Sequence, residues 1–291
     1  MRFRSALVVV TILVGTARAD DPADRLVMLG DFHYRAGEYY RAISDYEELG
    51  LFASDDTTKL FAAIRIALSY HHGRQLGDAA LAYRRALVLA RDPDVARSLR
   101  VQLAMARTER ALDQPGSDAV DVAIAELAPS AGEPRSIYEL ARMQLVAGRR
   151  DDARVTAAKL TGPLQPILER ALAREPRSHR HVWLGVTLSA IVPGAGSVYG
   201  GHAVDGAYYF ALTGLTGLGA WNVYESSRGF SDQKAAFYGL ASAAIVVYVA
   251  NVLQGGIAVA RYNAVTGAED RRALWRDTDQ PLPLETYTGA R

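Results

Sequence analysis

Long uncharged runs follow one another after residue 181, at 182–204, 206–224 and 235–260. Only Asp205 and the short stretch 225–234 separate them. About 20 apolar residues in a helix cross the roughly 30 Å hydrocarbon layer of a bilayer, so the second and third runs are long enough to span it. The pattern therefore predicts a membrane domain at 177–262, with membrane helices at 206–224 and 235–260.

The first run contains the glycine-rich sequence PGAGSVYGG, from Pro193 to Gly201. Proline lacks an N–H and clashes with the preceding turn, and glycine supplies no side-chain packing. We therefore expect 182–204 to be a broken or re-entrant segment whose backbone polar groups are satisfied by the two following helices. The residues predicted to build this structural membrane motif, including one amide of the third run, are Pro193, Gly194, Gly196, Tyr199, Gly200 and Asn251.

The N-terminus has the pattern of a secretory signal peptide at 1–19. Arg2 and Arg4 precede an apolar run, and Ala17 and Ala19 flank the expected cleavage site. The apolar run is about ten residues long, which is short of a membrane span and makes an uncleaved anchor the weaker alternative. The segment before the membrane domain is therefore predicted to be exported.

Residues 20–176 show alanine and leucine at helical spacing, with glycine-containing turns between short helices and no convincing strand. The pattern at 29–49 recurs 37 residues later, and a third copy is discernible at 140–160. Small residues are expected to let paired helices approach, while tyrosines fill the gap to the next helix. The residues assigned to this repeat packing are Gly30, Gly37, Ala42, Tyr46, Tyr70, Ala79, Tyr83, Gly148 and Ala153.

These segments resemble tetratricopeptide repeats over roughly 140 residues. One helix pair cannot bury its apolar face alone, so several pairs must stack. The resemblance implies a curved solenoid whose inner surface binds a peptide or another protein. A plain helical bundle that carries the membrane domain is the alternative.

The stretch from Leu188 to Gly201, followed by Gly206 and two membrane helices, resembles a second family. This family consists of small bacterial membrane domains with a Pro-Gly-x-Gly-x-x-Tyr signature, which are often joined to tetratricopeptide repeats. The resemblance covers about 80 residues. It implies architecture and leaves the biochemical role open.

Candidate chemistry is sparse. The chain has no cysteine, and its net charge of +1 argues against a nucleic-acid partner. Tyr199 stands where a dinucleotide loop requires its third glycine, and the residues beside Ser197 do not fit a nucleophile elbow. His71 and His72 are interpreted as a solvated turn, because adjacent helical side chains point apart and do not share a metal ion. The sequence predicts no enzyme, no cofactor and no metal site.

Together the patterns predict an all-α protein with a tetratricopeptide-like solenoid at 20–176, a membrane hairpin behind a broken segment, and a partly disordered tail at 263–291. The expected location is the bacterial inner membrane, with 20–181 in the periplasm. The expected function is a scaffold that binds a protein partner and contacts membrane lipid; a homo-oligomer formed through the membrane helices stays open. The alternative is a membrane protein that handles a small molecule or lipid near the glycine-rich motif. For topology, two crossings are favoured over three.

Overall fold

A computed structural model of the chain describes residues 22–114, 119–130, 132–226 and 234–288. The described residues form helices and no β-strand, which confirms the all-α prediction. The predicted signal peptide lies outside them. The helices are α1 (Pro22–Arg35), α2 (Tyr39–Phe52), α3 (Asp56–His72), α4 (Leu76–Leu89), α5 (Pro93–Asp113), α6 (Ala119–Leu127), α7 (Pro134–Val146), α8 (Arg150–Ala157), α9 (Gln165–Ala173), α10 (Val182–Ile191), α11 (Ala195–Tyr199), α12 (Ala203–Ser226) and α13 (Lys234–Asp277), with a 3₁₀ turn at Ala128–Ser130.

The chain divides into two compact units. Among the described residues, unit 1 contains 22–147, Asp151–Leu164 and 280–288, and unit 2 contains Gly148–Arg150 and Gln165–Asp279. The tail beyond residue 279 therefore belongs to the same unit as the predicted repeats.

Unit 1 is a succession of helices in which each packs on the next, from α1 to α7. Asp55 caps α3 by accepting a hydrogen bond from the Thr58 N–H at 2.8 Å, which satisfies one of the free N–H groups that every helix start leaves. Gly37 and, where the chain leaves unit 1 after α7, Gly148 have φ angles of +76° and +79°, so each forms a turn that a residue with a side chain adopts only with strain. These glycines fix where one helix stops and the next begins.

Side chains of unequal size fill the core of unit 1. Ala42, Tyr46, Ala79 and Tyr83 are all fully buried. The Tyr46 ring lies directly against Gly30 of α1, where an added Cβ would collide with it. A small residue on one helix thus admits a large residue from its neighbour, as the sequence pattern predicts.

In unit 2, α10 ends at Ile191 and α11 begins at Ala195, so the segment 182–204 is broken at Pro193 and Gly194. α13 does not end near residue 260 but continues to Asp277. Residues 261–277 contain many charged side chains, so the sequence-based boundary was set where the uncharged run stops. These residues contain no proline and little glycine, however, and the helix therefore continues beyond the apolar stretch.

By length and composition, α13 is the one helix of the described chain that could cross a membrane. Helix α12 covers the predicted span 206–224 and has 24 residues. Its glycines, threonines, tyrosines and Asp205 lower its mean hydropathy.

Two segments group differently from the sequence-based boundaries. Helix α9, expected at the end of the repeats, belongs to unit 2, where Ala171 lines a small cavity together with Leu274. The tail was expected to be partly disordered, yet Leu284 is only 6% exposed within the core of unit 1. Leucines and a tyrosine among the prolines of the tail find apolar surface on unit 1, which composition alone does not reveal.

Candidate functional site

Asn251 closes the break between α10 and α11. Its Oδ1 accepts a hydrogen bond from the Gly194 N–H at 2.7 Å, and its Nδ2 donates to the Ser189 carbonyl at 2.9 Å. Both backbone groups lie where the interruption leaves them without a helical partner. The side chain of Asn251 is fully buried, so one amide from α13 supplies what water would otherwise supply.

Glycines let backbone approach backbone around this break. Gly194 has φ +85° and lies so close to Gly206 that an added Cβ would meet backbone. Gly196 lies in the same way against Gly185, and Gly200 against Ala258. The centre of the motif is therefore filled by protein atoms, which argues against the alternative that a small molecule binds there.

Arg180 joins the two ends of the broken segment. Its guanidinium donates to the Tyr199 carbonyl and lies 3.8 Å from the centre of the Tyr262 ring. Its backbone N–H and carbonyl pair with the side chain of Asn263 at 2.9 and 2.8 Å. Since Gly200 also contacts Ala258, the segment enters and leaves beside the same stretch of α13. The segment is therefore broken, and both of its ends lie against α13.

The arginines before α10 bind α13. Arg177 pairs with Asp270 at 3.0 Å and with Glu269 at 3.2 Å, and Arg174 pairs with Asp277 at 2.8 Å. Together with Arg180, these side chains hold the incoming chain along the polar half of α13.

In unit 1 the tail lies on a surface built by α1, α3 and α7, which we call the tail-binding surface. Arg135 of α7 donates to the Pro281 carbonyl at 3.1 Å, and Arg65 of α3 donates to the Glu285 carbonyl at 3.4 Å. His72 Nε2 lies 3.4 Å from a Glu285 carboxylate oxygen. The tail is thus bound through both its backbone and its side chains.

Arg65 is the centre of this surface. It is only 7% exposed, forms an ion pair with Asp31 and lies 4.7 Å from the centre of the Tyr34 ring. The Tyr46 hydroxyl donates to the same Asp31 carboxylate at 2.6 Å. Burial, followed by the hydrogen bond to Asp31, raises the pKa of Tyr46 far above its ordinary range, so it stays a protonated donor. Burial likewise raises the pKa of Tyr34.

The histidine pair is not a solvated turn. His71 is 5% exposed, with its Nδ1 3.0 Å from the Tyr83 hydroxyl and its Nε2 3.2 Å from a Glu109 carboxylate oxygen. His72 stacks on Tyr39, and burial lowers its pKa below the ordinary value of 6.5. The prediction was wrong because Tyr39 of α2, Tyr83 of α4 and Glu109 of α5 cover the end of α3.

A cavity of about 490 Å³ remains between the tail and the helices beneath it. Its lining includes Asp31, Tyr34 and Arg35 on α1, Arg65 on α3, and Glu285. The tail therefore leaves part of the charged surface uncovered.

Among the predicted repeat residues, Gly30 lies against the Tyr46 ring, whereas Gly37 and Gly148 lie at turns with no atom within 4 Å of an added Cβ. Ala153 is fully buried, while Tyr70 is half-buried at the edge of the core of unit 1. Sequence reasoning missed Asp31, Arg65 and Arg135, because nothing in the local pattern distinguishes them from ordinary surface charges. It also missed the tail, although the spacing of leucines and tyrosine in PLPLETY was available as a signal.

Among the described residues, no group of three or more His, Asp or Glu side chains is placed to hold a metal ion. Comparisons with protein-family models, with curated proteins and with solved structures found no match to this chain.

Proposed function

We propose that this protein is a membrane-anchored helical-repeat scaffold that binds a protein partner through the tail-binding surface of unit 1. The observation that carries the proposal is the bound tail: a segment that turns at residues 283–286 lies on α1, α3 and α7, and its backbone carbonyls pair with Arg65 and Arg135. A surface that binds one polypeptide segment in this way has the chemistry to bind another.

Unit 1 is proposed to be a tetratricopeptide-like solenoid. Each of its helices from α1 to α7 packs on the next, and Gly30 lies opposite the Tyr46 ring at one of these contacts. Two of the helices that hold the tail, α1 and α3, are the first members of the successive packed pairs α1/α2 and α3/α4. This is the face that the resemblance assigns to partner binding.

Unit 2 is proposed to be the membrane anchor. Large apolar side chains cover the outside of α12 and α13 instead of being buried, and water-soluble proteins rarely expose so much contiguous apolar surface. Lipid tails are the proposed environment. The exposed side chains are Phe210, Leu215, Leu218, Trp221, Ile245, Val246, Val249, Leu253 and Ile257.

The bound tail supports two crossings. Residues 280–288 pack in the same unit as the repeats, so the chain has to return to the side of the membrane from which it entered. With 182–204 re-entrant, α12 and α13 then form the hairpin, and Tyr224 meets Phe237 at its far end with ring centres 5.3 Å apart. Combined with the predicted signal peptide, this arrangement supports the proposal that unit 1 and the tail lie on the periplasmic side of the bacterial inner membrane.

Partner binding is tested by photo-crosslinking in intact cells. A crosslinking residue replaces Arg35, which lines the cavity beside the tail, or Val88 of α4, which is 87% exposed. We expect a discrete adduct from position 35, identified by mass spectrometry and recovered in the reciprocal experiment, and none from position 88. The same adducts from both positions, or none from position 35, would contradict the proposal.

Topology is tested with single cysteines, since the chain has none of its own. After the outer membrane is permeabilised, a membrane-impermeant maleimide should label Thr286→Cys and leave Ser226→Cys protected until the inner membrane is opened. Three crossings would give the reverse at both positions.

A further inference from the structure

Resting on the proposed function, we infer that residues 280–288 are an intramolecular pseudo-ligand. They occupy the tail-binding surface in place of the partner, and the partner presents a segment of the same chemistry. That chemistry is a short backbone turn that presents a leucine, an adjacent acidic residue and an aromatic residue two positions further on, as in Leu284, Glu285 and Tyr287.

The first step of the argument is the backbone contact. Arg65 and Arg135 donate to the carbonyls of Glu285 and Pro281. Every peptide carries such carbonyls, so these two arginines can bind a segment through its backbone whatever the sequence of that segment. A guanidinium presents several donors in a fixed plane, which suits it to this task.

The second step is side-chain selectivity. Leu284 is 6% exposed and joins the core of unit 1, and the Tyr287 ring packs against both of its apolar clusters. The carboxylate of Glu285 faces His72 at 3.4 Å. A segment with a leucine, a negative charge and an aromatic ring at these spacings would satisfy the same contacts.

The third step is that the tail is a replaceable occupant. The cavity of about 490 Å³ beside it leaves Asp31 and Arg35 partly uncovered, while Thr286 and Thr288 face solvent. A tethered segment competes through its effective concentration, about millimolar for a short flexible link, and not through a large contact area. A partner with more contacts can therefore displace it.

The inference is tested with the full chain in lipid nanodiscs and a fluorescent peptide of the sequence QPLPLETYT. Leu284→Asp puts a charge in the apolar contact and should release the tail, whereas Thr286→Asp adds the same charge at an exposed position of the same segment. We expect the peptide to bind Leu284→Asp at least about tenfold more tightly than it binds the wild type or Thr286→Asp. The peptide with aspartate in place of its second leucine should not bind any of them.

Removal of residues 280–291 gives a second route to an open surface and should reproduce the gain. Equal peptide affinity for all forms, or no binding to either opened form, would overturn the inference. Unfolding of unit 1 in both opened forms would also overturn it, because the tail would then be a structural brace. A wild-type dimer that Leu284→Asp abolishes would show that the tail binds a second copy instead.

Failure of this inference is distinguishable from failure of the proposed function. If the peptide binds Leu284→Asp but the crosslinker at position 35 captures no partner in cells, the pseudo-ligand stands and the scaffold proposal fails. If the partner is captured equally well by the wild type and Leu284→Asp while the peptide binds neither, the scaffold stands and the pseudo-ligand fails.

Discussion

Unit 1 and unit 2 place small residues at their helix contacts for different purposes. In unit 1 a small residue makes room for a large side chain, as Gly30 does for the Tyr46 ring. In unit 2 a small residue faces another backbone, as Gly255 faces Gly185, and the large side chains point outward. In water, burying a tyrosine ring or a leucine stabilises the folded state by removing apolar surface from the solvent. In lipid, the environment proposed for unit 2, there is no such gain, so helices associate through close packing and hydrogen bonds.

The largest expected effect comes from removing a tyrosine ring from each unit and comparing the loss of stability. Tyr83→Ala removes a fully buried ring from unit 1, and losing a buried aromatic costs about 3–5 kcal/mol of unfolding free energy. Tyr208→Ala in unit 2 removes a ring that is 62% exposed and should change stability little. Hydrogen exchange of α3 and α4 and thermal unfolding in detergent measure both variants. Equal losses would show that the two units are packed in the same way.

The second effect comes from enlarging a glycine at a backbone contact of unit 2. Gly255→Val directs a branched side chain at the Gly185 carbonyl and at Ser189, and overpacking of this kind costs about 1–3 kcal/mol. Gly239→Val makes the same change on the same helix where no atom lies within 4 Å of the added Cβ. Resistance to unfolding in detergent should fall for the first variant only. A matched loss in both would attribute the effect to helix propensity.

A smaller effect concerns the amide at the break. Asn251→Leu leaves the Gly194 N–H and the Ser189 carbonyl without their partner, which in a membrane protein costs about 1–2 kcal/mol. Gln254→Leu, at a half-buried position one turn along the same helix, is the control. Faster hydrogen exchange at Gly194 in Asn251→Leu alone is the expected signature. Unchanged hydrogen exchange of the Gly194 N–H in Asn251→Leu would show that Asn251 does not bridge the break.

The smallest effect is a pH dependence confined to unit 1. Burial lowers the pKa of His72, so the unfolded chain binds more protons than the folded chain below about pH 6.5. The contribution of neutral His72 to the free energy of unfolding is therefore fully present above that pH and is lost as the pH falls through the lowered pKa. Thermal midpoints at pH 7.5 and 5.5 should differ less in His72→Gln than in the wild type, with exposed His179→Gln as the control. The same difference in all three proteins would exclude His72 as the source.

Local patterns were sufficient for features that depend on neighbouring residues. The tyrosine and alanine spacing located the core of unit 1, and Pro193 with Gly194 located the break, because helix geometry and proline chemistry act within a few residues. The contact between Arg65 and Glu285 spans 220 positions of the chain, and no periodicity encodes such a pair. The continuation of α13 was missed for another reason, since hydropathy reports the environment of a helix and not its length.

The position of Leu284 in the chain also sets an order for folding. This residue completes a core made by α3, α4 and α5, yet it is synthesised after both helices of the proposed membrane hairpin. At about 5–20 residues per second, the ribosome needs roughly 10 to 35 seconds to pass from the end of α5 to the tail. During that interval unit 1 lacks this side chain of its core, which is completed only after α12 and α13 have been synthesised. In the proposed topology, completion of the repeats therefore follows synthesis of the membrane hairpin.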